Sequence, residues 1–324
     1  MAVRSDSVEA RFEDLEQYRR ELTGYCYRML GSSFEAEDAV QETMVRAWKN
    51  IEGFEGRSAL RSWAYRIATN VCLDMMRSGQ RRARPMEMTS CGSADSFHGD
   101  TLPEHMWVTP IADERVLAPD GDPAAVTEAK ESIRLAFVAA LQHLPAKQRA
   151  VLILREVLKW QATEVAELLE TSVASVNSAL QRARATLANY DADISRSQVM
   201  DAEQQELLAR YVDAFERYDI ESLVSLLHED AVMSMPPYNF WLRGPVEMGT
   251  WFGGNGIGCK GSRLIATAAN GTAAFGSYRP DPNGGHYPWA LQLIEVSDGR
   301  IVGHHSFLDT ELFAAFGLPA HLDA

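Results

Sequence analysis

The sequence predicts a multidomain protein with two all-α parts followed by an α+β part. Three observations predict this. Apolar residues recur at helical spacing over residues 8–84 and again over 125–190. A stretch rich in Pro, Gly, Ser and Asp, 85–124, lies between those blocks, and a polar run, 191–202, follows the second. Over 203–324 an amphipathic helix and a shorter one give way to short strand-like runs separated by Gly, Asn and Asp, the pattern of an α+β domain.

The 324 residues suffice for two or three domains. No apolar run approaches the roughly 18 residues that span a bilayer. The opening MAVRSDSVEARFEDLEQ carries charges where a secretion signal needs an apolar core, so a cytoplasmic protein with no membrane partner is expected. Cys26, Cys72, Cys91 and Cys259 are scattered without a CxxC spacing, which predicts neither a metal site nor a disulfide framework. The net charge of −14 argues against a free-standing, nonspecific DNA binder. The distribution matters more than the sum. Arg61–Arg84 holds six arginines and one acid, whereas Pro85–Val126 holds eight acids and one base.

In the first block, Gly31-Ser32-Ser33 separates two helices. Glu35, Glu37 and Asp38 suit the positive end of the second helix, although Ser33 and Ala36 do not make a capping box. Val40, Met44 and Trp48, four apart, predict its inward face. Asp38, Gln41, Glu42 and Arg46 are left outward, either as solvated surface or as a face that docks a partner by charge. Gly53 and Gly56 bracket a loop, and a helix runs from about Ser58 to Met76. Trp63, Tyr65 and Arg66 share one turn of it. Aromatic faces stack on unpaired bases and arginines hold phosphates, so a single-strand DNA reader is one reading. Core aromatics on an amphipathic helix are the other.

The stretch 85–124 reads as an acidic, extended or disordered linker, with one apolar island at Met106, Trp107, Val108 and Ile111. In the second block, Thr163 caps a short helix, Glu170-Thr171-Ser172 turns, and a helix starts at Ser172 or Val173. Val165, Ala166, Leu169, Val173, Val176 and Leu180 would form the shared core of a helix-turn-helix. Ala174, Ser175, Asn177, Ser178, Gln181, Arg182 and Arg184 would be exposed, with Asn and Gln suited to adenine edges and Arg to guanine or phosphate. A plain helical hairpin remains open. In the last block, strands are expected at Ala231–Met235, Arg263–Ala268, Thr272–Tyr278, Trp289–Glu295 and Arg300–Leu308.

These motifs together resemble a family. DAVQETMVRAW, then FEGRSALRSWAYRIATNVCLD followed by RRAR, resembles region 2 of bacterial RNA polymerase sigma factors. LPAKQRAVLILREVLKWQATEVAELLETSVASVNSALQRARATL resembles region 4. Their order and spacing over about 20–190 resemble the extracytoplasmic-function group. The C-terminal domain resembles the SnoaL-like polyketide cyclase fold, a cone-shaped α+β barrel with an internal pocket.

The resemblance implies a region 2 helical bundle at 8–84 that binds core polymerase and reads and melts the −10 element. It implies a linker at 85–124 that threads toward the polymerase cleft, a region 4 helix-turn-helix at 125–190 that reads the −35 element, and a regulatory domain at 203–324. Partners would be core RNA polymerase, through its β′ clamp helices and β flap, and promoter DNA. The C-terminal domain would meet a small-molecule ligand or make an intramolecular contact. No cofactor, metal or catalysis is implied.

By the same resemblance, Asp38, Gln41, Glu42 and Arg46 bind core polymerase. Phe54, Arg57, Ser58, Arg61, Trp63, Tyr65, Arg66, Arg77 and Arg81 contact −10 DNA. Ser175, Asn177, Ser178, Gln181, Arg182 and Arg184 contact −35 DNA. The family often carries Lys and Arg where this chain has Asn177 and Ala179, which implies a weaker phosphate grip here. Trp241, Arg243, Trp289, His305 and Asp309 are the pocket candidates, with Trp251, Tyr278, His286 and His304 beside them. His305 and Asp309 could be an acid–base pair, but a core histidine and a surface carboxylate are the preferred reading. A helix-turn-helix repressor with a ligand-sensing C-terminal domain is the alternative to a sigma factor.

Overall fold

The computed structural model describes residues 14–51, 54, 59–77, 81–118, 122–188 and 202–323. They divide into two compact units. One comprises residues up to Arg82 together with those from Val108 to 188, and the other comprises Ala83–Trp107 together with 202–323.

The first unit is all-α. Helix α1, Arg19–Leu30, is buried without a break from Leu22 to Leu30 and forms the centre of its bundle. Gly31 ends it at φ 73°, donating its N–H to the Tyr27 carbonyl at 2.8 Å. A Cβ there would also stand 3.0 Å from the Gln142 side chain, so both backbone and space call for glycine. Ser32 caps α2 (Ser33–Asn50) by accepting the Glu35 N–H at 3.3 Å.

The α2 stripe is Ala36, Ala39, Val40, Thr43, Met44 and Ala47, continuing to Ile51. Trp48 departs from its expected inward place and is 60% exposed. Steps of four advance about 400° around the axis, so 40, 44 and 48 drift off the core by about 40° each. Helix α3, Leu60–Met75, buries Ala64, Tyr65, Ala68, Thr69, Val71 and Cys72.

The described residues of the stretch 85–124 are more ordered than expected. Its second part lies on α1 and α2. Tyr27 donates its hydroxyl to the Thr109 carbonyl at 2.9 Å, the Thr109 N–H reaches Gly31 O at 3.0 Å, and Arg115 pairs with Glu37 at 2.6 Å.

Helices α4 (Pro123–Glu131), α5 (Leu135–Leu141) and α6 (Ala146–Leu152) follow, α6 running into a π-helical turn at Ile153–Val157. Two buried arginines tie them to α1. Arg28 donates to the Ser132 carbonyl at 3.0 Å and to its hydroxyl at 2.6 Å. Arg149 donates to Met29 O, to Gln142 Oε1 at 2.5 Å, to Gln142 O at 3.0 Å and to Leu144 O at 3.2 Å. Those carbonyls lie in the last turn of α1 and just past the end of α5, where helices leave acceptors unpaired. Burial lowers Arg28 to about 10 and Arg149 to about 9.

The helix-turn-helix consists of α7 (Ala162–Leu168) and α8 (Val173–Leu187). Gln161, not Thr163, caps α7, its N–H reaching Glu164 Oε2 at 2.7 Å. Glu170 turns the chain at φ 50°, and Ser172 caps α8 through the Ser175 N–H at 3.1 Å. The shared core is Val165, Ala166, Leu168, Val176, Ala179, Leu180, Ala183 and Leu187. Leu168 takes the buried place expected of Leu169, which is half-buried, and Val173 is exposed.

The second unit is α+β. Helices α9 (Ala202–Arg217) and α10 (Ile220–Ser225) precede strands β1 (Leu227–Ser234) and β2 (Trp241–Arg243). Helix α11 (Pro245–Gly253), strands β3 (Arg263–Ala269), β4 (Thr272–Pro280), β5 (His286–Ser297) and β6 (Arg300–Phe307), and helix α12 (Glu311–Ala315) complete it. The sheet order is β2-β1-β6-β5-β4-β3. All five expected strands form, with the short β2 added. The sheet is mixed, because β1 and β6 pair in parallel while the other neighbours are antiparallel. Leu207, Tyr211, Phe215, Met233, Leu242, Met248, Phe252 and Ile294 belong to one core between the helices and the sheet.

The first part of the expected linker belongs to this unit. It leaves and returns at one point, where Ala83 and Trp107 form a parallel bridge and the Ala83 N–H meets Met106 O at 2.9 Å. Between them the chain is hydrogen-bonded to the domain. Gly92 N–H reaches Trp241 O (3.0 Å), Trp241 Nε1 reaches Thr89 O (3.0 Å), and Leu102 N–H reaches Pro237 O (2.9 Å). Asn239 N–H reaches Asp100 O (3.1 Å), and the Ala94 N–H reaches Glu247 Oε2 (2.7 Å). Gly92 crosses the edge of Phe240, where a Cβ would lie 2.8 Å from the ring. The run 191–201 lies outside the described residues.

Candidate nucleic-acid interface and an internal cavity

The face of α2 expected to meet polymerase is open. Asp38, Gln41 and Glu42 are exposed, and Arg46 is half-buried, paired with Glu42 at 2.7 Å and Asp74 at 3.6 Å. Exposed Trp48 and Val45 add apolar surface on the same helix.

The residues expected at −10 DNA separate into groups. Phe54 and Trp63 are half-buried and pack together with ring centroids 5.2 Å apart. Tyr65 is fully buried, which corrects its expected place as a base-stacking surface. Its ring meets Tyr25 edge-on at 5.2 Å and Trp160 at 5.0 Å, and burial pushes its phenol up. Arg61 lies 5.4 Å over both Tyr65 and Trp160 and pairs with Glu21 at 2.8 Å. Arg66 approaches Glu167 at 3.8 Å. Arg77 and Arg81 are exposed, Arg77 pairing with Asp74 at 3.2 Å. Arg57 and Ser58 lie outside the described residues.

On α8, Ser175, Asn177, Ser178, Gln181, Arg182 and Arg184 are all exposed, on the face opposite the buried Val176, Ala179 and Ala183. Arg184 is held by Glu156, its Nε at 2.7 Å. Ala179 faces the core, so a cation at that place would not reach DNA and its lack costs no phosphate contact. That narrows the expected loss of grip to Asn177.

In the second unit a cavity of about 220 Å³ lies between the sheet and α9 and α11. Strand parity decides which residues of β6, and of β5 from Ala290 onward, line it, and the register shift at Trp289 brings that residue in as well. Ala290 and Gln292 on β5, and His304, Ser306 and Leu308 on β6 and just beyond, alternate onto the cavity side. The intervening Leu291, Leu293, His305 and Phe307 do not line it. Of the expected pocket set, only Trp289 lines this cavity, with Trp251 and His304 from the wider group. Trp241 is buried beneath the Thr89 carbonyl, with Arg243 stacked at 5.5 Å. His305 Nδ1 bonds the Ser234 hydroxyl at 2.8 Å, and its Nε2 lies 3.8 Å from Glu295. Asp309 accepts the Glu311 N–H at 2.9 Å. His305 and Asp309 are thus each engaged elsewhere.

Sequence reasoning missed Phe97, Tyr238, Asn255 and Arg279. An aromatic inside an acidic, polar stretch was the available signal for Phe97.

His304 is fully committed on one side of its ring. Tyr211 donates its hydroxyl to Gln292 Oε1 at 2.8 Å, so His304 Nε2–H donates to the tyrosine oxygen at 2.9 Å. Burial, then the neighbouring His305, lowers His304 to about 4. An unfolded histidine titrates near 6.5. With the folded value depressed, the unfolded chain takes up the proton first as pH falls. The second unit should therefore lose about 2 kcal/mol from this residue between pH 7 and pH 5. Urea unfolding at the two pH values should show that difference in the parent and a smaller one in His304→Gln. An unchanged difference would remove His304 as its source.

Comparison with protein-family models matches Sigma-70 region 2 at residues 15–82, Sigma-70 region 4 at 134–187 and a SnoaL-like domain at 208–304. The chain is 43% identical over 311 residues to the ECF RNA polymerase sigma factor SigG of Mycobacterium tuberculosis, covering 95% of this chain and 83% of that one. It is 28% identical over 192 residues to the ECF RNA polymerase sigma factor SigW of Bacillus subtilis, covering 59% and 94%. The crystal structure of the Mycobacterium tuberculosis extracytoplasmic function sigma factor SigJ aligns with a TM-score of 0.61 at 23% identity, covering 95% of this chain and 99% of that one. It shares the fold of helical domains followed by an α+β domain.

Proposed function

The chain belongs to the extracytoplasmic-function RNA polymerase sigma factors, and from that premise we propose how its residues divide the work. It binds core RNA polymerase and directs promoter-specific initiation. The polar face of α2, with Asp38, Gln41, Glu42 and Arg46, binds the β′ clamp helices, and region 4 binds the β flap. Phe54 and Trp63 take the unpaired −10 bases, with Arg57, Ser58, Arg77 and Arg81 on the phosphates. The exposed face of α8 reads the −35 element. Arg61 and Arg66 join the −10 surface only once Trp160 and Glu167 have moved away, and Tyr65 stays in the core beneath them. The SnoaL-like domain regulates these steps and performs no catalysis of its own.

One observation carries this reading. A single chain holds two separate surfaces of different chemistry, an aromatic pair beside arginines and a polar helix face. A helix-turn-helix repressor needs only the second. No helix among the described residues is long and apolar enough to cross a membrane.

Transcription in vitro, with core polymerase and a library of promoter fragments, tests the proposal. Specific initiation that requires this chain is expected. Failure to initiate, with no binding to core polymerase, would favour the repressor.

A further inference from the structure

The cavity in the C-terminal domain has a composition that the sigma-factor activity does not use. Its walls are aromatic, with Phe215, Trp251, Phe252 and Trp289 among them. One cation lines it. Arg279 stacks on Trp289 with its guanidinium carbon 3.3 Å from the ring centre, and its polar partner is the Cys259 sulfur at 3.3 Å. Its Nε is buried without a hydrogen-bond partner, and no carboxylate among the described residues pairs with it. A stacked, half-buried guanidinium lacking an acid is set up to receive a planar anion. His304 Nδ1 likewise has no partner, leaving a buried acceptor on another wall.

Part of the wall comes from outside the domain's own fold. Phe97, in the segment 83–107, lines the cavity and meets Tyr238 at 5.0 Å, Phe240 at 5.2 Å and Trp251 at 4.9 Å, each edge-on. Beside it, Asn255 lines the same cavity and donates to the Ala94 carbonyl at 3.2 Å. That segment lies in sequence between sigma regions 2 and 4.

We propose that this cavity binds a small planar aromatic anion, with Arg279 taking the negative group, and that the bound ligand fastens segment 83–107 to the domain through Phe97. At about 220 Å³ the space is below the roughly 300–1,000 Å³ of drug-sized sites, which fits one or two fused rings. Such a ligand covers Phe97 from within, so the segment cannot lift without uncovering it. Binding and release of the segment are then linked by mass action.

The test uses the full chain and two probes of one shape, 2-naphthoate and neutral 2-naphthalenemethanol. Calorimetric titration should give one site per chain, with the anion bound about tenfold or more tightly than the alcohol. Arg279→Met should remove that preference, so that the variant binds the two probes alike. Amide exchange over 89–102 should slow about tenfold at ten times the naphthoate dissociation constant, and Phe97→Ala should lose that slowing. Binding of neither probe, or equal binding of both by the parent, overturns the anion site without need of any variant. Naphthoate binding with unchanged exchange over 89–102 overturns the fastening. Neither result bears on initiation in the transcription assay, which fails or succeeds separately.

Discussion

Arg149→Met is expected to destabilise the first unit by about 3 kcal/mol. The guanidinium serves four acceptors, Met29 O, Gln142 O, Gln142 Oε1 and Leu144 O. Each buried acceptor left unpaired costs about 1–3 kcal/mol. Part of that is offset, because burying the cation is itself costly, as its lowering to about 9 records. Methionine retains most of the volume, so the loss reports hydrogen bonding more than a cavity. Arg149→Lys should fall between the two, since an ammonium cannot spread over the same acceptors. Hydrogen exchange followed by peptide is the measurement. Amides of α1 and α6 should exchange faster by about a hundredfold, and amides of β4–β6 should be unchanged. Equal acceleration in both units would mean that Arg149 acts on the whole chain.

Trp63→Ala should depress promoter opening about 10- to 100-fold while core-polymerase affinity stays within about twofold. Stacking on an unpaired base contributes about 1–3 kcal/mol, and Trp63 is half-buried, packed against Phe54. Permanganate reactivity of −10 thymines measures opening, and fluorescence anisotropy with labelled chain measures binding. Parallel loss of both would make Trp63 a packing residue. Tyr65→Ala should behave in that second way, because Tyr65 is fully buried.

Local pattern revealed the helices of the first unit, α9, α10 and five of the six strands, but neither α11 nor α12, and the two sigma motifs came from resemblance. What it concealed has physical causes. Periodicity says which residues share a face but not what covers it, and Tyr65 is covered by Trp160, almost a hundred residues away. A step of four approximates a helical turn for one repeat and fails by the third, which is how Trp48 ends in solvent. Three residues are too few for β2 to display alternation. His304 and His305 are neighbours in a strand whose parity alone separates cavity from core, and sequence composition does not set parity. The segment 85–107 looked unstructured because few of its own residues are apolar. Its order comes from backbone hydrogen bonds to another domain, and these leave no mark in hydropathy.

The bridge between Ala83 and Trp107 has a consequence for the distance the chain can span. With both ends of the excursion at one point, its 25 residues add almost nothing to the tether from Arg82 to Val108. Paid out fully, 25 residues cover about 85 Å at 3.3–3.6 Å each. Promoter elements at −10 and −35 are about 25 base pairs apart, about 85 Å along the duplex at 3.4 Å per step. On the proposed assignment of regions 2 and 4 to those elements, the C-terminal domain stores slack comparable to their separation, and whatever frees the segment lengthens the line between them.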